Sequence, residues 1–181
     1  CISVAGVGTA FDTLSTEVGD VLYLALEDSM RRLQKRMRQL LNGRPGPTRL
    51  HLETKCKQLD EGGLQQITEW IEAHPDARLV VIDTWRRIRP KGVKGGMLDQ
   101  MDYDAIVPLQ ELATTHRICI IVVLHNRKAS AVDWHDEIAS TGGIAQAADT
   151  VIGFRRERGQ ADAAIHVDGR DVDPSELAMK W

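Results

Sequence analysis

Apolar residues gather in four short runs that are rich in β-branched side chains and bounded by charged or turn-forming residues. The runs cover residues 21–26, 79–82, 118–124 and 150–154. Near-continuous apolar runs of this length are typical of strands that are buried on both faces, as in a parallel sheet. The pattern therefore predicts four strands of one mostly parallel sheet.

A helical spacing of apolar residues follows the first run. Residues 30–41 carry methionines and leucines at this spacing, which predicts a helix whose apolar side, including Met30 and Leu40, faces the core. Ser29 before it is a typical N-cap residue. Asn42, ahead of a glycine and a Pro-Gly-Pro breaker, marks the expected end of the helix.

The remaining patterns complete the expected fold. Residues 64–73 and 103–115 predict two further helices, each placed before a strand. Alternating strands and helices predict an α/β domain with right-handed crossovers and helices on both faces of the sheet. Residues 163–167 and 177–181 alternate in polarity and are separated by a turn that contains Gly169. They predict a C-terminal antiparallel hairpin at the edge of the sheet.

Composition narrows the class of protein. The 181 residues fit a single domain over residues 1–181. A net charge of -3 argues against a protein coated in positive charge, although it permits a local basic loop. The three cysteines have neither zinc-site spacing nor a disulfide framework, which predicts reduced thiols in the cytoplasm. No apolar run nears the roughly 20 residues of a membrane helix, so no membrane association is expected.

Polar residues follow three of the predicted strands at the point where each strand ends. Glu27 follows the first, Asp83 the second and His125 the third. An apolar strand ending in Asp is the Walker B pattern, which places a carboxylate where it holds magnesium near nucleotide phosphates. A second carboxylate on a neighbouring strand end is placed to activate the attacking water. Each signal alone also fits a structural role, such as a helix cap or a hydrogen-bonded core histidine.

Two basic clusters lie in loop-like segments. The first follows Asp83 in a glycine-rich stretch, where it either tracks the phosphates of a nucleic-acid strand or is a solvated surface loop. Trp85 at its start either stacks on bases or packs internally. The candidate nucleic-acid contacts are Arg86, Arg87, Arg89, Lys91 and Lys94, and then Arg127 and Lys128.

The combination of these motifs resembles the RecA-like ATPases of the hexameric replicative helicase group. The resemblance is strongest to the RepA-like (AAA_25-type) ATPases of plasmids, phages and mobile elements, and it spans nearly the whole chain. The matching stretches are GDVLYLALEDSMRRLQKRM, LVVIDTWRRIRP, DYDAIVPLQELATTHRICIIVVLHNRK, STGGIAQAADTVIGFRRE and DGRDV. The resemblance implies a RecA-like P-loop NTPase core that uses ATP and Mg²⁺.

The resemblance also implies roles for the strand-end residues. Glu27 corresponds to the glutamate that activates water, and Asp83 to the Walker B magnesium ligand. His125 holds the sensor position, where relatives show a His-His pair and this chain has Asn126 second. The residues assigned to the nucleotide are Asp28, Asp83, Thr84 and Asn126.

Further roles follow from the relatives' ring assembly. Ser140 and Thr141 resemble the segment that faces the central channel, which adds them to the nucleic-acid contacts. An arginine from the neighbouring subunit completes the site in relatives, and Arg155, Arg156 and Arg170 are candidates. Single-stranded DNA and a homo-oligomer, in the form of a hexameric ring, are the partners implied.

The main departure from the family concerns the phosphate-binding loop. Relatives carry GxxxxGK[ST] before the region that starts here, whereas residues 6–9 read Gly-Val-Gly-Thr without a lysine. Such a loop and its lysine supply most of the phosphate binding. The chain is therefore expected to be incomplete at the N-terminus, and as written to bind ATP weakly and hydrolyse it negligibly.

Three functions are compatible with the sequence. The first is the ATPase domain of a replicative helicase or primase-helicase. The second is a non-catalytic RecA-like module that binds nucleic acid or a protein, and a phosphate-binding loop encoded upstream would argue against it. The third is a strand-exchange ATPase that forms filaments rather than closed rings.

Overall fold

The computed structural model describes residues 1–6, 8–11, 13–91, 98–125, 143–156 and 162–179. The chain divides into two compact units. The first comprises Cys1–Lys91 with Pro108–His125, and the second Gly92–Val107 with Asn126–Trp181. Since compact units need not be separate domains, the single domain over residues 1–181 stays a prediction.

The first unit contains a four-stranded parallel sheet. Its strands are β3 (Asp20–Ala25), β4 (Leu50–Glu53), β5 (Ala77–Asp83) and β6 (Cys119–Val123), in the order β4-β3-β5-β6. All three pairings are parallel, which confirms the predicted parallel sheet for three of the four apolar runs. The sequence pattern does not predict the strand β4, because its four residues alternate with polar side chains and are only partly buried.

Both faces of this sheet are buried. Val21 and Val81 on one face pack with Ala5 of helix α1 (Ile2–Ala5). Val80 and Ile82, which alternate with them along the strand, are fully buried as well. A short antiparallel pair, β1 (Thr9–Ala10) and β2 (Leu14–Ser15), follows α1.

The helix α2 (Met30–Leu41) has the predicted bounds and caps. Ser29 Oγ accepts a hydrogen bond of 3.4 Å from the Arg32 amide, and Asn42 adopts a left-handed conformation with φ 49° at the end. The predicted apolar face is wrong in part. Leu33 is buried, but Met30 is exposed and Leu40 is 71% exposed.

Three more helices belong wholly or partly to the first unit. They are α3 (Gly63–Ala73), α4 (Trp85–Ile88) and α5 (Leu98–His116), of which α5 contributes to both units. The helices predicted over residues 64–73 and 103–115 match α3 and α5, although α5 begins five residues earlier than expected. No helix in the described ranges is both long and apolar enough to cross a membrane.

The second unit contains a three-stranded antiparallel sheet. Its strands are β7 (Thr150–Arg155), β8 (Ala163–Gly169) and β9 (Ser175–Met179), in that order. The predicted C-terminal hairpin is confirmed as β8 and β9. Its predicted place at the edge of the parallel sheet is wrong, because within the described residues it pairs with β7.

The sequence pattern places β7 in the parallel sheet, and that prediction is wrong. The strand pairs antiparallel with β8, Thr150 opposite Gly169, and its side chains alternate between exposed and partly buried. Such alternation is typical of a sheet with one solvated face. The short helix α6 (Gly143–Ala147) precedes it, and a Cβ at Gly143 would lie 1.8 Å from the Asp99 carbonyl oxygen of α5. Glycine at this position therefore allows close helix packing.

Candidate functional site

Three strand ends meet at one edge of the parallel sheet. Ala25 of β3 pairs with Asp83 of β5, and Asp83 pairs with Val123 of β6. The Leu26 amide donates a hydrogen bond of 2.6 Å to the Asp83 carbonyl, which extends the β3–β5 pairing beyond the strand. Side chains that follow these strands are therefore neighbours at the carboxyl edge, where ligands bind in open α/β sheets.

The side chain of Glu27 lies between two other strand-end residues. Thr84 Oγ1 donates a hydrogen bond of 3.2 Å to Glu27 Oε1, and His125 Nε2 lies 4.0 Å from Glu27 Oε2. Thr84 is only 2% exposed, whereas the Glu27 side chain is 44% exposed and that of His125 70%. A buried hydroxyl thus anchors one carboxylate oxygen, while the other faces solvent beside the imidazole.

Asp83 is joined to the edge through a residue that the sequence analysis did not select. The Tyr23 hydroxyl donates a hydrogen bond of 2.6 Å to Asp83 Oδ2. Burial, this hydrogen bond and the Asp83 charge raise the pKa of Tyr23, so the phenol stays protonated and remains a donor. Its sequence signal is a single polar-tipped residue inside an apolar run, which by itself does not distinguish it from packing.

Asp28 is held by its own helix and does not contact the Glu27 group. Its carboxylate accepts hydrogen bonds from the Ser29 amide at 3.1 Å, from Arg32 Nε at 2.5 Å and from Arg36. Desolvation acts to raise the pKa of Asp28, but the Ser29 amide and the two arginines outweigh it and lower that pKa overall. The assignment of Asp28 to the nucleotide stays a prediction.

The oxygen atoms at this edge suit magnesium. Magnesium prefers oxygen ligands and keeps several waters, so that one or two carboxylates and substrate phosphates complete its shell. Asp83 uses Oδ2 for Tyr23, and within the described residues its Oδ1 accepts no hydrogen bond. In the same part of the chain, no three acidic, histidine or cysteine side chains converge to enclose a metal by themselves. These residues fit an ion held largely by water and substrate.

The basic residues after Asp83 differ in their surroundings. Arg86 and Arg87 are exposed, and Arg87 Nε donates a hydrogen bond of 3.1 Å to the Leu26 carbonyl. Arg89 is half-buried. Lys91 pairs with Glu61 at 2.7 Å, and that hydrogen bond and charge raise the pKa of Lys91.

Trp85, at the start of this segment, is buried with 3% of its surface exposed. Base stacking needs an accessible ring face, whereas packing does not. Of the two interpretations of this side chain, the structure therefore agrees with internal packing.

The candidate arginine fingers lie in the second unit. Arg170 donates a hydrogen bond of 2.9 Å to the Gln146 carbonyl, and its guanidinium lies 3.6 Å from Asp149. Arg155 is half-buried on β7, and Arg156 follows it as an exposed residue. The choice among the three stays a prediction.

Several predicted contacts lie outside the described residues. They are Lys94, Asn126, Arg127, Lys128, Ser140 and Thr141.

A parallel α/β sheet that presents carboxylates at adjacent strand ends is the arrangement of a nucleoside triphosphatase domain. The AAA domain family model matches residues 1–131, and the chain belongs to this family. Among solved structures, the chain is similar to the ATPase domain of a replicative helicase, with a TM-score of 0.67 at 11% sequence identity. That match covers 88% of this chain and 70% of the other.

No curated protein sequence matches the chain. The structural similarity confirms the RecA-like fold. Family and fold together therefore make this an ATPase-type domain.

Proposed function

We propose that the chain is the ATP-hydrolysing domain of a nucleic-acid motor. The motor is a replicative helicase or primase-helicase of plasmid, phage or mobile-element type, and it works as a hexameric ring on single-stranded DNA. The observation that carries the proposal is the Glu27 carboxylate, anchored by Thr84 and facing His125 next to Asp83. This is the set of groups that in-line hydrolysis of a terminal phosphate needs.

Glu27 acts as the general base. Thr84 fixes Oε1, so that Oε2 is the oxygen available to water. As the water oxygen bonds to the terminal phosphorus of ATP, its proton passes to Oε2, and the bond to the bridging oxygen breaks to release ADP and phosphate. Magnesium, when bound, neutralises charge on the phosphates. Asp83 orients the waters of that ion, and Tyr23 fixes the Asp83 carboxylate.

His125 is the proposed phosphate sensor. Its Nε2 is 4.0 Å from Glu27 Oε2, a separation that a shared water or phosphate oxygen bridges. Loss of the terminal phosphate frees the imidazole to approach the carboxylate. The strand end of β6 thereby changes its contacts in each hydrolytic cycle.

The nucleic-acid strand is the proposed partner of the basic segments. Arg86 and Arg87 are exposed after β5, as strand-tracking side chains must be. Arg89, Lys91 and Lys94 continue this segment, and Arg127, Lys128, Ser140 and Thr141 form its second part. An arginine from the adjacent subunit, drawn from Arg155, Arg156 and Arg170, completes the ATP site.

The test is ATP turnover by the full protein that contains this domain. Glu27→Gln keeps the size of the side chain but removes the base, and we expect turnover to fall about a hundredfold or more. Glu72→Gln, which changes an exposed carboxylate on α3, is the matched control and is expected to retain turnover.

Equal turnover in Glu27→Gln and wild type would overturn the assignment of the base. Background turnover in the wild type, with DNA binding retained, would instead establish the non-catalytic RecA-like module.

A further inference from the structure

A cavity of about 330 Å³ opens at the carboxyl edge of the parallel sheet, beside β4. Its wall is formed by residues that follow three strands, namely Leu26 after β3, residues 54–58 without Lys57 after β4, and Arg86 with Arg87 after β5. Small-ligand sites have volumes of about 300–1,000 Å³, so the cavity is large enough for a compact ligand. None of the catalytic residues proposed above lines it.

The wall of this cavity is positively charged. Lys55, Arg86 and Arg87 contribute three cations, and no lining residue among those described is acidic. Arg87 is fixed by its hydrogen bond to the Leu26 carbonyl. Within the described residues, Lys55 and Arg86 have no ion-pair partner. Uncompensated cations around one concave space favour an anionic ligand.

The same wall contains an unsatisfied acceptor. Gln58 lines the cavity, and its Oε1 is buried without a hydrogen-bond donor among the described residues. Buried carbonyl oxygens are nearly always hydrogen-bonded, because leaving one unpaired costs free energy. A ligand that brings a hydroxyl or amino group next to its anionic group satisfies this atom.

We propose that the cavity is a phosphate-binding subsite. Lys55, Arg86 and Arg87 hold the phosphate of a phosphoester, and Gln58 accepts a hydrogen bond from a neighbouring hydroxyl or amino group of the same ligand. Arg guanidinium groups suit phosphate because their donors match its oxygens in pairs. The inference rests on, and deepens, the proposed nucleic-acid role of Arg86 and Arg87, to which it adds Lys55 and Gln58.

Two sources share this chemistry. One is a phosphodiester of a nucleic-acid strand, and the other is a free phosphomonoester such as a mononucleotide. Both place an oxyanion beside hydroxyl or amino groups, as the cavity requires. The experiment below distinguishes them by the probe that binds.

Cys56 provides a local reporter, because it lines the cavity and has a free thiol. Its alkylation by N-ethylmaleimide in the full chain is followed by mass spectrometry, with the exposed thiol of Cys119 as an internal reference. The probes are inorganic phosphate, deoxyadenosine monophosphate and an oligothymidylate. At a probe concentration tenfold above its Kd, we expect Cys56 to react about tenfold more slowly, since about a tenth of the sites remain free. The rate at Cys119 is expected to stay unchanged.

Charge-removing variants identify the site. Lys55→Gln and Arg86→Gln are expected to lose the protection of Cys56. Lys35→Gln, which removes the same charge from an exposed position on α2, is expected to keep it. Protection by the oligonucleotide alone assigns the subsite to a strand, and protection by the monophosphate or phosphate assigns it to a small phosphoester.

Absence of protection by all three probes, or equal protection in Lys55→Gln and Arg86→Gln, would overturn the proposal. The readout involves no hydrolysis. Protection that persists in Glu27→Gln therefore supports the subsite, whatever the outcome of the turnover test.

Discussion

Thr84 Oγ1 donates a hydrogen bond to Glu27 Oε1 across 57 residues of sequence. The hydroxyl belongs to a buried residue at the end of β5, and the carboxylate belongs to an exposed residue beyond β3. One rigid strand end thus sets the orientation of a side chain on its neighbour. A catalytic group gains from such support, because a misplacement of about 1 Å is costly in rate.

Replacement of Thr84 by valine tests this support. Thr84→Val keeps the shape of the side chain but removes the hydroxyl, so Glu27 loses its fixed orientation. We expect ATP turnover by the full protein to fall about 10- to 100-fold, with a smaller change in ATP affinity. Thr68→Val, which removes a hydroxyl that bonds only within α3, serves as the control. Equal losses in both variants would mean that a general loss of stability explains the effect.

Tyr23→Phe is expected to change the dependence of stability on pH. The pKa of Tyr23 is raised above its ordinary value of 10.0, mainly by burial and by the hydrogen bond to Asp83. Above pH 10 the unfolded chain loses this proton while the folded chain keeps it, so the folded state binds more protons. Stability from this group is present below pH 10 and declines as the pH rises further.

The free energy of unfolding in urea, measured from about pH 9 to about pH 11, on either side of the unfolded pKa, checks this prediction. The wild type is expected to lose stability more steeply than Tyr23→Phe. The variant is also expected to be less stable by about 1–2 kcal/mol at neutral pH, through the lost hydrogen bond. Tyr103→Phe, which removes a phenol from α5, is the matched control. Parallel curves for the wild type and Tyr23→Phe would contradict the role given to this hydroxyl.

Arg87 and Arg89 test the nucleic-acid assignment of the segment after β5. The double variant Arg87→Ala, Arg89→Ala is expected to flatten the dependence of single-strand affinity on salt. Each lost phosphate contact lowers the slope of log K against log salt by about 0.7. Titration of fluorescent oligothymidylate at several salt concentrations measures that slope. A slope equal to the wild type would remove these two residues from the interface.

Gly143→Ala tests the packing of α6 in the second unit. The added methyl would lie 1.8 Å from the Asp99 carbonyl oxygen, so the backbone must move. We expect a loss of about 1–3 kcal/mol in unfolding free energy, as for other overpacked sites. Gly46→Ala is the control, because its nearest neighbour would be at an ordinary 3.8 Å. Unchanged stability in Gly143→Ala would show that the two helices do not pack this closely.

Strand ends could be located from sequence because long apolar runs and their polar successors are local signals. Glu27, Asp83 and His125 were found in this way, and parallel pairing then placed their strands side by side. The contact between Tyr23 and Asp83 could not be found, because it depends on the register of two strands, which pairs Tyr23 with Val81. Register is a tertiary property that one strand alone does not reveal.

The errors in the predicted fold have the same origin. The run that forms β7 has the composition of a buried strand, and only its antiparallel partner β8 shows why one face stays open. The strand β4 was missed because His51 and Glu53 interrupt its apolar residues. The cavity beside β4 was missed for that reason, since Lys55 and Gln58 follow a strand that the sequence did not announce.

The hydrogen bond from Arg87 to the Leu26 carbonyl has a mechanical consequence. That carbonyl and the amide of Glu27 belong to one planar peptide group, which turns only as a rigid plate. A ligand that draws Arg87 toward itself therefore tilts the plate that carries the proposed base. Through this shared peptide, the arrival of an anion at the basic segment and the aim of the carboxylate become a single motion.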